Sequence, residues 1–441
     1  MSHTKENNNT SITTRFKQFN KQESAGGIYL IIVTVIALIW SNSAWSDSYF
    51  QLWHTHLKIG LGEWMMDYTL HHWINDGLMA IFFFMIGLEI KREVMHGELS
   101  SFKQSSLPIF GAVGGMLVPA AIYVAFNTGT NFLHGWGIPM ATDIAFAIGA
   151  LSLLGKRVPF SLKVFLVALA IVDDIGAVLV IAFFYTAELN FQALLIGLVL
   201  FGFLLLLNKM KVFKMRYYVI IGIVIWAAFL YSGVHATVAG ILVAFAIPNR
   251  PKSRIEKRMS DNIMSLQALK NTNADDLQDH HKGKEMHHHI SYLRNEFRSF
   301  IPPLMHFEHG LHGMVNFFII PLFALANAGV VLDASLLDQF NSPVTLGVLL
   351  GLFVGKTFGI SLLAWIAIKT GISSMPANVR WIQIIAVSML GGIGFTMAIF
   401  ITNLAFVDPN AIDLAKMGII VGSLLSGVIG FQLLKIFSKE K

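Results

Sequence analysis

The sequence predicts an all-α polytopic membrane protein with about twelve spanning helices, on three grounds. Hydrophobic residues fill 55% of the 441 positions and charged residues only 13%, far more apolar surface than a soluble core requires. The apolar residues come in runs of roughly 18–25, the length a helix needs at 1.5 Å per residue to cross about 30 Å of hydrocarbon. A β-barrel would alternate instead. Lys and Arg collect between the runs and at the ends, so the formal net charge of +6 reports topology and not a nucleic-acid surface. Cysteine is absent, which excludes disulfides and thiolate metal or redox sites.

Residues 1–26 read as a polar cytoplasmic tail, too polar and too long to open a signal peptide. Spans follow at about 27–43, 76–95, 105–126, 138–155, 161–186, 191–208, 216–231, 235–249, 309–330, 344–368, 382–406 and 413–436. The run 216–249 is too long for one helix and basic at both flanks, so it crosses twice, with a break at Ser232, Gly233 and Val234. Basic residues gather on one side: Lys91, Arg92 and Lys103; Lys156, Arg157 and Lys163; Lys209 to Arg216; Lys369 and Arg380; and the tail 437–441. Loops 127–137, 187–190 and 331–343 contain none. The positive-inside rule therefore puts both termini in the cytoplasm.

The chain divides accordingly. Spans 1 and 2 (27–104) bracket residues 50–60, read as a small external hairpin able to pair with a second copy, or as a plain loop. Spans 3–5 (105–186) form a first triplet, and spans 6–8 (187–249) precede a charged cytoplasmic insert (250–300). The insert carries His280, His281, His287, His288 and His289, read as a flexible loop with adventitious affinity for Zn or Ni. Span 9 and an external loop (301–343) lead to a second triplet, spans 10–12 (344–436).

The middle member of each triplet is interrupted. Span 4 opens on Gly135-Trp136-Gly137-Ile138-Pro139 and holds Thr142 and Asp143; span 11 contains Gly391, Gly392 and Gly394. Matching interruptions point to inverted repeats, with two discontinuous helices crossing at the midplane.

Asp173 and Asp174 sit side by side in the middle of span 5. Each costs about 2.5–3.5 kcal/mol at a membrane helix centre, so the pair implies an ion or proton site more than a packing contact. Asp143 in span 4 and Lys356 in span 10 are the other deep charges; Asp76 opens span 2 and Glu89 lies near its cytoplasmic end. Helix neighbours point about 100° apart, so one aspartate faces the ion while the other, Asp173, pairs with Lys356. Na⁺ prefers oxygen ligands, which Asp173, Asp174, the Thr142 hydroxyl and freed carbonyls supply. The same oxygens cannot serve proton and cation together, and competition at a site opened alternately to each side is exchange transport. Two other readings compete. An intramembrane aspartyl protease places its acids on separate helices, and a passive cation channel moves no obligatory proton.

Seven stretches, WINDGLMAIFFFMIGLEIKRE (73–93), IPMATDIAFAIGALSLLG (138–155), VALAIVDDIGAV (167–178), SGVHATVAG (232–240), FALANAGV (323–330), GKTFGIS (355–361) and GGIGFTMAIFI (391–401), resemble the NhaA-type sodium/proton antiporters of bacterial inner membranes. The resemblance runs from about residue 22 to 436 apart from the insert. It implies a secondary transporter and not an enzyme, with no cofactor. It further implies twelve spans, a core of spans 3–5 and 10–12 against an interface of the other six, a homodimer in membrane lipid, and electrogenic exchange of Na⁺ or Li⁺ for a larger number of H⁺. Asp173 and Asp174 then become the central carboxylates, with Asp174 the direct Na⁺ ligand, and Lys356 the core lysine. Thr142 and Asp143 belong to the broken span. The family's cytoplasmic pH regulation falls on Glu89, Arg92 and Glu93, and on Glu308, His309 and His312, which from spacing alone read as interfacial charge. His235 lies at an outer turn. One departure stands out: the family pattern has proline after the core lysine where this chain has Thr357, which alters the local kink but not the charge.

Overall fold

Helices account for most of the chain. The computed structural model describes residues 10–61, 64–186, 189–250, 302–331, 334 and 338–438, with the backbone alone for 10–24, Leu61, Trp64 and Lys156. The insert 251–300 with its His tract lies outside the described residues.

The first helix, α1 (Thr10–Ser41), begins inside the segment read as a polar tail, because nothing between Thr10 and Ala25 is Gly or Pro and so nothing stops it. After α2 (Ser46–His54) the chain pairs β1 (His56–Leu61) with β2 (Trp64–Thr69) antiparallel, His56 opposite Thr69 and Leu61 opposite Trp64. The expected hairpin therefore exists, but at 56–69 and not 50–60. Residues 46–54 bury Tyr49 and Trp53, four apart, on one helical face, and alternation starts only at His56.

Then come α3 (Leu70–His96), α4 (Phe102–Asn127), a 3₁₀ segment (Leu133–Met140), α5 (Ile144–Leu153), α6 (Phe160–Phe184), α7 (Phe191–Lys209), α8 (Met215–Ser232) and α9 (Ala236–Ala246). Beyond the insert lie α10 (Pro303–Asn327), α11 (Pro343–Lys369), α12 (Trp381–Leu390), α13 (Phe395–Ala405) and α14 (Pro409–Phe437). Among the described residues nine helices are long and apolar enough to cross a membrane. Counting the bent pairs α1/α2 and α12/α13 as one span each gives up to eleven, and α9 is a shorter apolar helix. The protein is a mostly helical, multi-pass membrane protein, with one β-hairpin among its described residues.

Two buried clusters organise the packing. The smaller joins Leu88 of α3, Leu204 of α7, Ile225 of α8, Val243 of α9 and Leu304 of α10. The larger runs through α4 to α6 and α11 to α14 and reaches α1, α3 and α10. Within it α4 and α11 meet glycine to glycine: a Cβ on Gly359 would lie 2.8 Å from the Gly114 carbonyl carbon and 2.9 Å from Val118 Cβ. Only bare backbone fits there.

Two interruptions position the site. The chain is extended at 141–143 before α5, and α12 and α13 diverge by 48° across residues 391–394. The breaks touch, since the Asp143 amide donates to the Ile393 carbonyl at 2.6 Å. Gly391, Gly392 and Gly394 make the second break as expected. A Cβ on Gly392 would come within 2.7 Å of Ser426 Oγ.

Candidate ion site

Asp173 and Asp174 lie on α6, both 1% exposed, and successive helical directions give them different partners. Lys356 Nζ, wholly buried on α11, is 2.5 Å from Asp173 Oδ2 and donates to Thr142 Oγ1 at 3.0 Å. Thr142 in turn donates to the Gly391 carbonyl at 2.7 Å, at the end of α12. The ammonium thus faces a carboxylate and, through Thr142, the negative end of a helix. The five residues before it, Gly351–Gly355, wind as a π-turn, and Thr357 donates to the Phe353 carbonyl at 2.6 Å. The widened turn distorts the helix just ahead of Lys356.

Asp143 holds the two breaks together from the opposite polarity. Its Oδ1 accepts from the Phe146 amide at 3.1 Å and caps α5; its Oδ2 accepts from the Thr396 amide at 3.0 Å and from the Thr396 hydroxyl. One carboxylate therefore satisfies orphan donors of two helix N-termini, α5 and α13. The Ser423 hydroxyl of α14 accepts from the Gly394 and Phe395 amides, each at 3.2 Å. Sequence reasoning found Asp143 but missed Thr396 and Ser423. A threonine two residues beyond a Gly-x-Gly break was the available signal for the first; nothing local marks the second.

Asp174 differs from its neighbour. Both carboxylate oxygens are buried and no described group hydrogen-bonds to either. It lines a cavity of about 70 Å³ shared with Thr142, Asp143 and Thr396, and with Glu89 and His312. That is room for a cation or a few waters. An unpaired buried carboxylate is costly, so this one requires a proton or a bound cation.

The residues expected to sense pH divide. Arg92 bonds Glu93 at 2.8 Å and Glu308, and lies 3.9 Å from Glu89. Glu308 is 4% exposed, with Oε2 unpartnered among the described residues. His312 accepts from Asn316 at 3.1 Å and lines the cavity, whereas His309 is exposed. Glu89 thus connects the charged network to the ion cavity, and His312 lines the same cavity. Asp76 and His235 do not line that cavity. Asp76 sits 3.5 Å from His72, and His235 Nε2 donates to the Tyr185 carbonyl at 2.6 Å. Burial pushes the His235 imidazole below its ordinary value, against the Tyr185 bond and the Asp76 field. A second buried lysine, Lys416 of α14, was not anticipated; its Nζ lies 3.5 Å from the Gly329 carbonyl.

A family model described as Na⁺/H⁺ antiporter 1 matches residues 17–434. The Na(+)/H(+) antiporter NhaA of Oleidesulfovibrio alaskensis is 48% identical over 428 residues, covering 97% of this chain and 94% of that protein. The NhaA proteins of Wolinella succinogenes (45% over 443 residues; 98% and 96%) and Christiangramia forsetii (46% over 427; 96% and 94%) are comparably similar.

Proposed function

The chain belongs to the Na⁺/H⁺ antiporter 1 family, and from that premise we propose that it is a secondary active transporter exporting Na⁺ or Li⁺ in exchange for protons. The observation that carries the assignment is Asp174, whose two buried oxygens beside the cavity accept from no donor among the described residues. A proton and a Na⁺ each neutralise that carboxylate and exclude the other. The empty, charged site is disfavoured in low dielectric, so it changes sides loaded.

Thr142, Asp143 and Thr396 furnish further oxygens around Asp174. Asp173 and Lys356 form the pair that keeps the crossing helices in register, and an electrogenic ratio of more than one proton per Na⁺ requires a second titrating group, for which this pair is adjacent. The twelve-span arrangement has inverted triplets 105–186 and 344–436 as the core and the remaining spans as the interface. The protein resides in the bacterial inner membrane with both termini cytoplasmic, by the distribution of Lys and Arg. Hairpins of two copies pair in a homodimer. Glu89, Arg92, Glu93, Glu308, His309 and His312 regulate activity from the cytoplasmic side, because Glu89 belongs to the charged network and lines the cavity together with His312.

The test is Na⁺ addition to everted membrane vesicles holding a proton gradient, at several pH values and with the potential clamped. Na⁺ dissipates the gradient with the parent protein and not with Asp174→Asn, which loses the proton-accepting oxygen and the Na⁺ ligand together. Equal responses from both proteins overturn the assignment; Na⁺ current without proton movement makes the protein a channel.

A further inference from the structure

The second half of the broken span restarts at the depth of the bilayer centre. Ser423 is the midpoint of the 29-residue α14, and the first turn of α13 stands against it. Gly394, Phe395 and Thr396 there present three consecutive backbone amides that have no acceptor inside their own helix. In hydrocarbon no water takes over, and a donor left open is costly. The usual remedy is an oxygen on the N-cap side chain, but the N-cap of α13 is Gly394, which has none. The acceptors therefore come from other helices.

Two side chains supply them. Asp143 Oδ2 takes the Thr396 amide at 3.0 Å and the Thr396 hydroxyl. Ser423 Oγ takes the Gly394 and Phe395 amides, each at 3.2 Å. The serine is buried, and glycines bring its helix in close. A Cβ on Gly418 would lie 2.6 Å from the Thr345 carbonyl oxygen of α11, and one on Gly422 would lie 3.3 Å from Leu349 Cα. With Gly418 and Gly422 held against α11, the next residue points about 100° away, and that direction is the start of α13.

The two acceptors are not equivalent. Asp143 lines the ion cavity beside Asp174 and Thr142, whereas Ser423 does not. A carboxylate has about four lone-pair sites, and Asp143 already accepts from the Phe146 amide, the Thr396 amide and the Thr396 hydroxyl. Two more amides would fill it, and a lone pair given to an N–H is closed to a cation. A hydroxyl oxygen has two lone pairs, enough for both amides, and carries no charge. It satisfies the start of α13 without adding to the negative charge at the cavity.

We infer that Ser423 is a positioning residue for cation binding: by taking the Gly394 and Phe395 amides it leaves Asp143 bonded within α13 to Thr396 alone, with acceptor capacity free for a cation. The inference rests on the Na⁺ site proposed above and concerns the binding of the ion, not its passage.

Two readouts on the full chain test it. One is the Na⁺ concentration that half-saturates dissipation of the proton gradient in everted vesicles. The other is the concentration that half-saturates the Na⁺-dependent rise in melting temperature of the detergent-solubilised protein. Ser423→Ala raises both several-fold while the maximal rate stays near the parent, and Ser423→Thr, which keeps the oxygen, stays near the parent in both. Leu424→Ala, at the 63% exposed neighbour, changes neither and controls for substitution in α14. A contact that merely holds helices together would lower the Na⁺-free melting temperature and the maximal rate and leave both half-saturation values alone. That result overturns the inference, as do equal shifts from Ser423→Ala and Ser423→Thr. If Ser423→Ala does not fold, Ser423→Cys, whose sulfur is a weak acceptor, is read in the same way. A melting response that shifts as expected in a protein showing no coupled proton movement upholds Ser423 and defeats the exchange reading; coupled movement with unaltered half-saturation does the reverse.

Discussion

Lys356 Nζ stands 2.5 Å from Asp173 Oδ2 with both side chains closed to solvent, while Asp174, the next residue along, has no hydrogen-bond partner among the described residues. The adjacency separates two tasks. One aspartate is committed to a structural ion pair and the other is left open toward the cavity.

Removing one partner of a buried pair leaves the other charge uncompensated, typically at about 3–5 kcal/mol. Lys356→Ala therefore lowers the apparent melting temperature of the detergent-solubilised protein and alters charge movement more than Na⁺ binding. Lys356→Met combined with Asp173→Asn recovers part of the lost stability, because no charge remains unpaired. Unchanged melting and charge movement in Lys356→Ala would count against the pair.

Thr396 supplies Asp143 with a hydroxyl as well as a backbone amide. Thr396→Val removes the hydroxyl donor from a buried carboxylate, a loss of about 1–3 kcal/mol, and reduces exchange. Thr396→Ser keeps the donor and stays near the parent in both thermal stability and vesicle assays. Equivalent behaviour of Val and Ser would show that the hydroxyl does nothing for Asp143.

The bare contact between Gly114 and Gly359 sets the spacing of α4 and α11, the helix that carries Lys356. Gly359→Ala inserts a methyl against rigid backbone, an overpacking cost of about 1–3 kcal/mol or more. Reduced thermal stability and displacement of Lys356 from Asp173 are expected; a variant as stable as the parent disproves the close approach.

His235 gives a pH dependence with a definite sign. Its folded-state value lies below the ordinary 6.5, chiefly through burial. The stabilisation is therefore complete above pH 6.5 and is lost as pH falls through the folded value, where the unfolded chain takes up the proton first. Between pH 8 and 5 the parent loses more thermal stability than His235→Gln. Parallel curves for the two proteins would contradict this.

The membrane class was written in the sequence, because the length and apolarity of a spanning segment are set by the bilayer and not by the rest of the fold. So was the placing of Asp143, Asp173, Asp174 and Lys356 deep within the protein, all four of which are buried, since the apolar runs around them fix their depth. The glycines of the second break were legible for the same local reason. The hairpin was legible in kind and misplaced in position, because the aromatic residues of 46–54 fit a helix once Tyr49 and Trp53 have something to pack against.

Partners were not legible. That Asp173 takes Lys356 while Asp174 takes no partner among the described residues depends on how α6 is rotated against α11, a consequence of side-chain packing over the whole bundle. Ser423 is an ordinary helical serine until the α13 amides are brought to it. The packed rings of Phe83, Phe323 and Phe400 and the bonded amides of Asn75, Asn327 and Asn403 join residues far apart along the chain, whose convergence is fixed only when α3, α10 and α13 meet. The sequence by itself determined which residues the membrane makes expensive; the tertiary structure alone decided which of them are neutralised in pairs and which is left without a hydrogen-bond partner among the described residues, because pairing depends on distances across the fold that no local pattern encodes.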